Sequence, residues 1–169
     1  DTTLDYPVMY SPNEPDFYLC HDFSKNSSIS GVPFVDVECK DNNGIYIIYG
    51  HNMRNGTMFN TILKYKDFEF WKQHKKIVFN TLKEDKVFEV VSAFYSQVYT
   101  KDQKDVFRFY DYKDLSEEKT FCEFISNVQK KSLYDTGITP TYGEEVLLLV
   151  TCSYHTNEGR FVVVARHAE

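Results

Sequence analysis

Cys152 and Arg160 stand eight positions apart, separated by a loop-like stretch, residues 153–159, between two apolar runs. If those runs pair across the loop, the thiol and the guanidinium share one rim of a sheet, with Cβ atoms roughly 5–8 Å apart. A cation beside a thiol favours the thiolate, which is the nucleophilic form. A guanidinium fork can also hold a carbonyl oxygen as it becomes negative. Free cysteine is also among the most buried residue types, so Cys152 as a small hydrophobe and Arg160 as a surface charge fit the same pattern.

A cysteine nucleophile needs a base, and the chain offers His21, His51, His74, His155 and His167. His51 stands out because Ile45-Tyr46-Ile47-Ile48-Tyr49-Gly50 carries the chain out of the core, and Gly50 permits a turn that leaves an imidazole at a strand mouth. His155 is a competitor only three residues from Cys152, although a short loop more often turns such a side chain to solvent. His21 adjoins Cys20, but neighbours on a strand face opposite sides. His74 and His167 lie among charges. An unperturbed thiol near pKa 8.5 is only about 3% thiolate at neutral pH, and an imidazole near 6.5 is mostly neutral. Pairing the two raises the charged fraction.

Other chemistries lack their patterns. The chain has no CxxC, HxxxH or HExxH spacing for a metal, no Gly-rich strand-to-helix turn for a phosphate, and no G-x-S-x-G elbow. No metal and no cofactor are expected.

The elements that must position these residues are mostly strands. Val, Ile, Phe and Tyr dominate residues 32–37, 45–49, 76–82, 87–99, 106–110, 146–152 and 161–165, and the proline-rich opening at 6–15 suits an edge strand. The last two runs are apolar without alternation, so both faces are covered and a central hairpin is implied. Residues 116–131 read as an amphipathic helix. Phe121, Phe124, Ile125 and Val128 form its buried stripe, Ser116 is its N-cap and Glu117 and Glu118 occupy its positive end. A shorter helix is expected near 65–74, around Phe68 and Trp71. Many strands with two helical interruptions make a mainly β barrel or sandwich, read as one domain over 1–169.

Composition narrows the partners. Lys and Arg total 19 against 25 Asp and Glu, a net charge of −6, with 42% hydrophobic residues. That balance argues against nucleic acid, whose affinity depends on cations meeting phosphates. No apolar run approaches the roughly 20 residues of a spanning helix. Starting at Asp1 without Met is compatible with a trimmed anchor. Four cysteines, Cys20, Cys39, Cys122 and Cys152, are an even number but lack paired spacings.

Ile47-Ile48-Tyr49-Gly50-His51-Asn52-Met53, Gly56-Thr57-Met58-Phe59, Val150-Thr151-Cys152 and Gly159-Arg160-Phe161-Val162-Val163-Val164 together resemble a class B sortase. Tyr6-Pro7-Val8, Gly31-Val32-Pro33-Phe34-Val35-Asp36 and Ser132-Leu133-Tyr134-Asp135-Thr136-Gly137 extend the resemblance in order over nearly the whole chain.

The resemblance implies a closed eight-stranded β-barrel, with 116–131 as the class B helical insertion. It also implies a cysteine transpeptidase of Gram-positive bacteria, without the calcium site of class A. Cys152 would attack the carbonyl after Thr of an Asn-Pro-x-Thr sorting signal and form a thioester, which a peptidoglycan amine then resolves. His51 would be the acid/base and Arg160 the oxyanion or positioning cation. Thr151, Ser153 and Tyr154 are candidate substrate contacts, although strand alternation aims Thr151 at the opposite face. The expected protein is a monomer on the outer face of the cell membrane, held by an N-terminal segment that this chain does not contain. Some class B members carry an acidic residue soon after the nucleophile. Here Ser153-Tyr154-His155 follows, leaving no acidic orienter before Glu158. A pilin-polymerising enzyme that uses a protein lysine, and a non-catalytic binding module, are the alternatives. With Cys152 free, Cys39 in a strand and Cys122 beside the helix stripe read as core or near-core thiols.

Overall fold

The two uninterrupted apolar runs form the middle of one sheet. The computed structural model describes residues 2, 4–39 and 43–168. Its strands are β1 (Phe34–Val35), β2 (Ile45–Tyr49), β3 (Lys76–Val78), β4 (Val87–Gln97), β5 (Val146–Cys152) and β6 (Gly159–His167), ordered β1-β2-β5-β6-β4-β3. Every neighbouring pair is antiparallel except β2 and β5, which run parallel with Tyr49 opposite Val150.

Both faces of this sheet are covered, as the lack of alternation in β5 and β6 requires. On one face Ile45, Ile47, Leu148, Val150, Val162 and Val164 pack beneath helix α2 (Glu118–Lys131), which buries Phe121, Phe124, Ile125 and Val128. On the other, Ile48, Leu147, Leu149, Phe161 and Val163 meet Phe59, Ile62 and Tyr65 of a 3₁₀ segment, Phe59–Lys66, and Trp71 of helix α1 (Phe68–Gln73). Asp67 caps α1 by accepting from the Glu69 N–H at 2.8 Å, and the Trp71 indole donates to the Val90 carbonyl at 2.9 Å. Helices form in both expected regions, but α2 starts at Glu118 rather than at residue 116, and the second region begins six residues earlier as 3₁₀ helix.

Among the described residues six strands form rather than the eight of a closed barrel, and β1 and β3 are sheet edges. The opening segment contributes a single bridge, Met9 to Phe34, because its prolines remove ladder donors. Residues 106–110 were expected as a strand. Instead the chain makes a 3₁₀ turn at Phe109–Asp111 and wedges Phe107 and Phe109 into the core beside Phe94 and Phe124. Three smaller expectations also change. Glu117, not Ser116, precedes α2, and the Ser116 N–H is instead taken by Asp114. Cys39 lies in a turn after β1, where its N–H reaches the Asp36 carbonyl. Cys122 is exposed, since one helical step from Phe121 rotates it about 100° off the buried stripe.

Candidate active site

Parallel pairing makes β2 and β5 end at the same rim, and β6 starts there. The ladder continues past Tyr49, because the Gly50 N–H donates to the Val150 carbonyl at 3.1 Å. At that rim Cys152 lies directly opposite Arg160 in the β5–β6 register. Val150 and Val162, two pairs inward, belong to the α2 face, so alternation puts Cys152 and Arg160 on that face too. Tyr49 packs against the same cluster, and His51 follows two residues later, just beyond the end of β2. Elements from three parts of the chain thus bring His51, Cys152 and Arg160 to one rim, with Cys152 and Arg160 on one face of it.

All three side chains are half-buried. His51 has its Nε2 2.8 Å from the Leu19 carbonyl oxygen. The Arg160 guanidinium is folded along its own loop, donating to the carbonyls of Glu158 at 3.2 Å and Gly159 at 3.0 Å, with the Glu158 carboxylate 3.6 Å away. A carbonyl oxygen arriving at the thiol would compete for a donor that now serves neutral backbone acceptors, a weaker claim than that of an oxyanion.

Beyond this backbone ladder, side chains also tie the end of β2 and the turn after it to β5. Thr151 is buried and its hydroxyl donates to the Gly50 carbonyl at 2.7 Å, on the face away from Cys152. The Asn52 amide donates to the Cys152 carbonyl at 3.0 Å, and the Asn60 amide donates to the Asn52 side-chain oxygen at 2.7 Å. The His51 carbonyl accepts from the Phe59 N–H at 2.8 Å, closing the turn that leads from Asn52 to the 3₁₀ segment carrying Asn60. Gly50 is required by close approach, since a Cβ there would lie 2.6 Å from the Phe59 ring. Sequence reasoning missed Asn52 and Asn60. Their signal, two asparagines flanking a Gly-Thr turn after the histidine, carries no periodicity.

Ser153 is buried and shares a 2.9 Å contact with His155 Nδ1, while Tyr154 is exposed. The His155 ring lies 4.7 Å from Tyr95, which pairs with Phe161 on the face opposite Arg160. His155 is thus occupied away from the thiol. Tyr49, two residues before His51, donates its hydroxyl to Asp36 at 3.2 Å, and Asp36 is also paired with Lys113. Burial and then the Asp36 charge push the Tyr49 phenol far above its usual range, keeping it a neutral donor.

A family model for the sortase domain matches residues 22–168. The chain belongs to the sortase family. Sortase B of Staphylococcus aureus (strain NCTC 8325 / PS 47) is 30% identical over 98% of this sortase, and Sortase B of Listeria monocytogenes is 27% identical over 96%. The chain spans 66% and 64% of those relatives' own lengths. A mutant form of Clostridium perfringens sortase B superposes with a TM-score of 0.83 at 31% identity, covering 99% of this chain and 77% of that one. The Staphylococcus aureus sortase B–substrate complex superposes with a TM-score of 0.84 at 28% identity, covering 99% and 76%. These relatives are of the class that the motifs around His51, Cys152 and Arg160 resemble. Among the described residues no helix is long and apolar enough to cross a membrane.

Proposed function

We propose that this sortase is a cysteine transpeptidase that cleaves a sorting-signal peptide and passes the acyl group to an amine. The observation that carries the reading is the in-register pair Cys152 and Arg160 on one face of the rim that His51 also reaches. Likeness to a sortase B solved with its substrate supports it.

The chemistry follows from those groups. The Cys152 thiolate adds to the carbonyl carbon of the Thr in an Asn-Pro-x-Thr type signal, and Arg160 donates to the oxygen that takes the negative charge. The C–N bond breaks as the His51 imidazolium gives its proton to the departing amine nitrogen, which leaves a thioester on Cys152. An incoming amine then adds to the thioester carbon and gives its proton to neutral His51. Collapse expels the Cys152 thiolate and restores the starting charges. No cofactor is needed. We assign the acceptor to a peptidoglycan amine, and the setting to the outer face of the membrane of a Gram-positive cell. Ser153 and Tyr154 flank the path of the peptide, whereas Thr151 serves the site through Gly50.

Fluorogenic Asn-Pro-x-Thr peptides, with and without an added amine, test the proposal. Cys152→Ala should abolish cleavage, and His51→Ala and Arg160→Ala should each slow it by about a hundredfold or more. Unchanged turnover in Cys152→Ala would sink the mechanism. His155→Ala should retain most activity, and a collapse there would reassign the base. Isopeptide products with a protein lysine, in place of peptidoglycan products, would favour pilin polymerisation.

A further inference from the structure

His51 reaches a backbone atom from a distant part of the chain, and that contact fixes its chemistry. Its Nε2 lies 2.8 Å from the carbonyl oxygen of Leu19. A carbonyl oxygen only accepts, so Nε2 must carry the proton whenever this contact is made. In the neutral ring the lone pair then belongs to Nδ1.

The acceptor is firmly held. Leu19 ends a 3₁₀ turn, Phe17–Leu19, whose own N–H donates to the Asp16 carbonyl at 3.0 Å. Tyr18 beside it is buried at 5% exposure, and the Tyr18 carbonyl accepts from Val32 at 3.1 Å. The Cys20 carbonyl on the other side accepts from Ser28 at 2.8 Å. Residues on both sides of Leu19 are therefore pinned, and its carbonyl is a fixed object for the ring to meet.

We infer that the Leu19 carbonyl is the positioning group of the site, holding His51 as the Nε2–H tautomer and making Nδ1 the atom that exchanges protons with thiol and amines. The proton-transfer half rests on the transpeptidase reading above; the tautomer half does not. A backbone acceptor here fills the role that a third side chain fills in other nucleophile–histidine sites. The N-terminal turn becomes part of the catalytic apparatus, not a cover over it.

Gly31 offers the means to disturb it. This residue has φ +54°, and a Cβ there would lie 2.7 Å from the Leu19 oxygen and 2.4 Å from the Tyr18 oxygen. Gly31→Ala must therefore displace that carbonyl.

The test uses protein labelled with ¹⁵N-histidine, with long-range ¹H–¹⁵N spectra recorded at about pH 9, where an ordinary imidazole is neutral. His51→Gln identifies the signals. The expected spectrum shows a protonated Nε2 and an imine-type Nδ1 for His51. The opposite tautomer, or the averaged pattern of a free imidazole, would overturn the inference, and this wild-type spectrum decides even if Gly31→Ala fails to fold. In folded Gly31→Ala the His51 signals should move toward the averaged pattern, and kcat for peptide cleavage should fall about tenfold or more with KM changed less than about twofold. A folded variant with the wild-type tautomer and kcat would refute the positioning role. The expected tautomer in a protein that cleaves no sorting peptide would count against the transpeptidase reading alone.

Discussion

The side-chain amide of Asn52 donates to the main-chain carbonyl of Cys152 at 3.0 Å, tying the residue after the proposed base to the proposed nucleophile itself. Asn60 holds Asn52 from behind at 2.7 Å, so the three form a chain in which each link orients the next.

Breaking that chain should loosen the site without unfolding the sheet. A net hydrogen bond contributes about 1 kcal/mol, so Asn52→Ala should lower kcat on the order of five- to tenfold. KM should change little, because neither amide is proposed to touch the peptide. Asn60→Ala should act in the same direction. The double variant should be little worse than Asn52→Ala, which steady-state kinetics on all three proteins would show.

Thr151→Val tests whether this residue meets substrate or framework. Its hydroxyl is buried against the Gly50 carbonyl, so the isosteric change should cost about 1–2 kcal/mol in urea-unfolding free energy. Cleavage should slow through kcat. A selective rise in KM with unaltered stability would instead place Thr151 in contact with the peptide.

Gly50→Ala forces a methyl group into the Phe59 ring. Overpacking of this kind costs about 1–3 kcal/mol, which should appear as a lowered thermal midpoint together with reduced cleavage. Combining it with Phe59→Leu should recover part of the midpoint, although Phe59→Leu alone destabilises. Simple additivity of the two losses would contradict the contact.

Alkaline pH should expose a buried thiol. Burial is the largest influence on Cys39, a bond with the Ile47 backbone partly opposes it, and Asp36 adds to it; the thiol is pushed from 9.0 up to about 11. Between those values the unfolded chain has released the proton that the folded chain keeps. Stability present below about pH 9 is therefore progressively lost as pH rises toward 11. Burial pushes the Tyr65 phenol to about 12, which continues the trend. Urea midpoints at pH 8 and pH 10.5 should fall less for Cys39→Ala than for the unaltered chain.

What the sequence announced and what it concealed divide along physical lines. β5 and β6 were legible because two apolar runs without alternation must be covered on both faces. The α2 stripe was legible because its four apolar positions repeat at helical spacing. Cys152, Arg160 and His51 were legible as reactive types at strand ends, and the sheet brings all three to one rim. The lack of a strand, among the described residues, in the opening segment and at 106–110 was not, since prolines and the aromatic wedge of Phe107 and Phe109 divert segments whose composition favours β. Asn52, in a turn, and Asn60, at the start of the 3₁₀ segment, act through single hydrogen bonds that no repeat marks. The partner of His51 is a main-chain oxygen 32 residues away, and a peptide carbonyl carries no residue-type signature.

Because β2 and β5 run in the same direction, the groups proposed as base and nucleophile share a rim across a gap of about one hundred residues, the separation of Asn52 and Cys152. Closing so long a loop is among the slow events of folding, and no hairpin or isolated segment can assemble this rim ahead of time. A chain emerging during synthesis would therefore carry His51 and Cys152 on separate segments until β5 has docked beside β2.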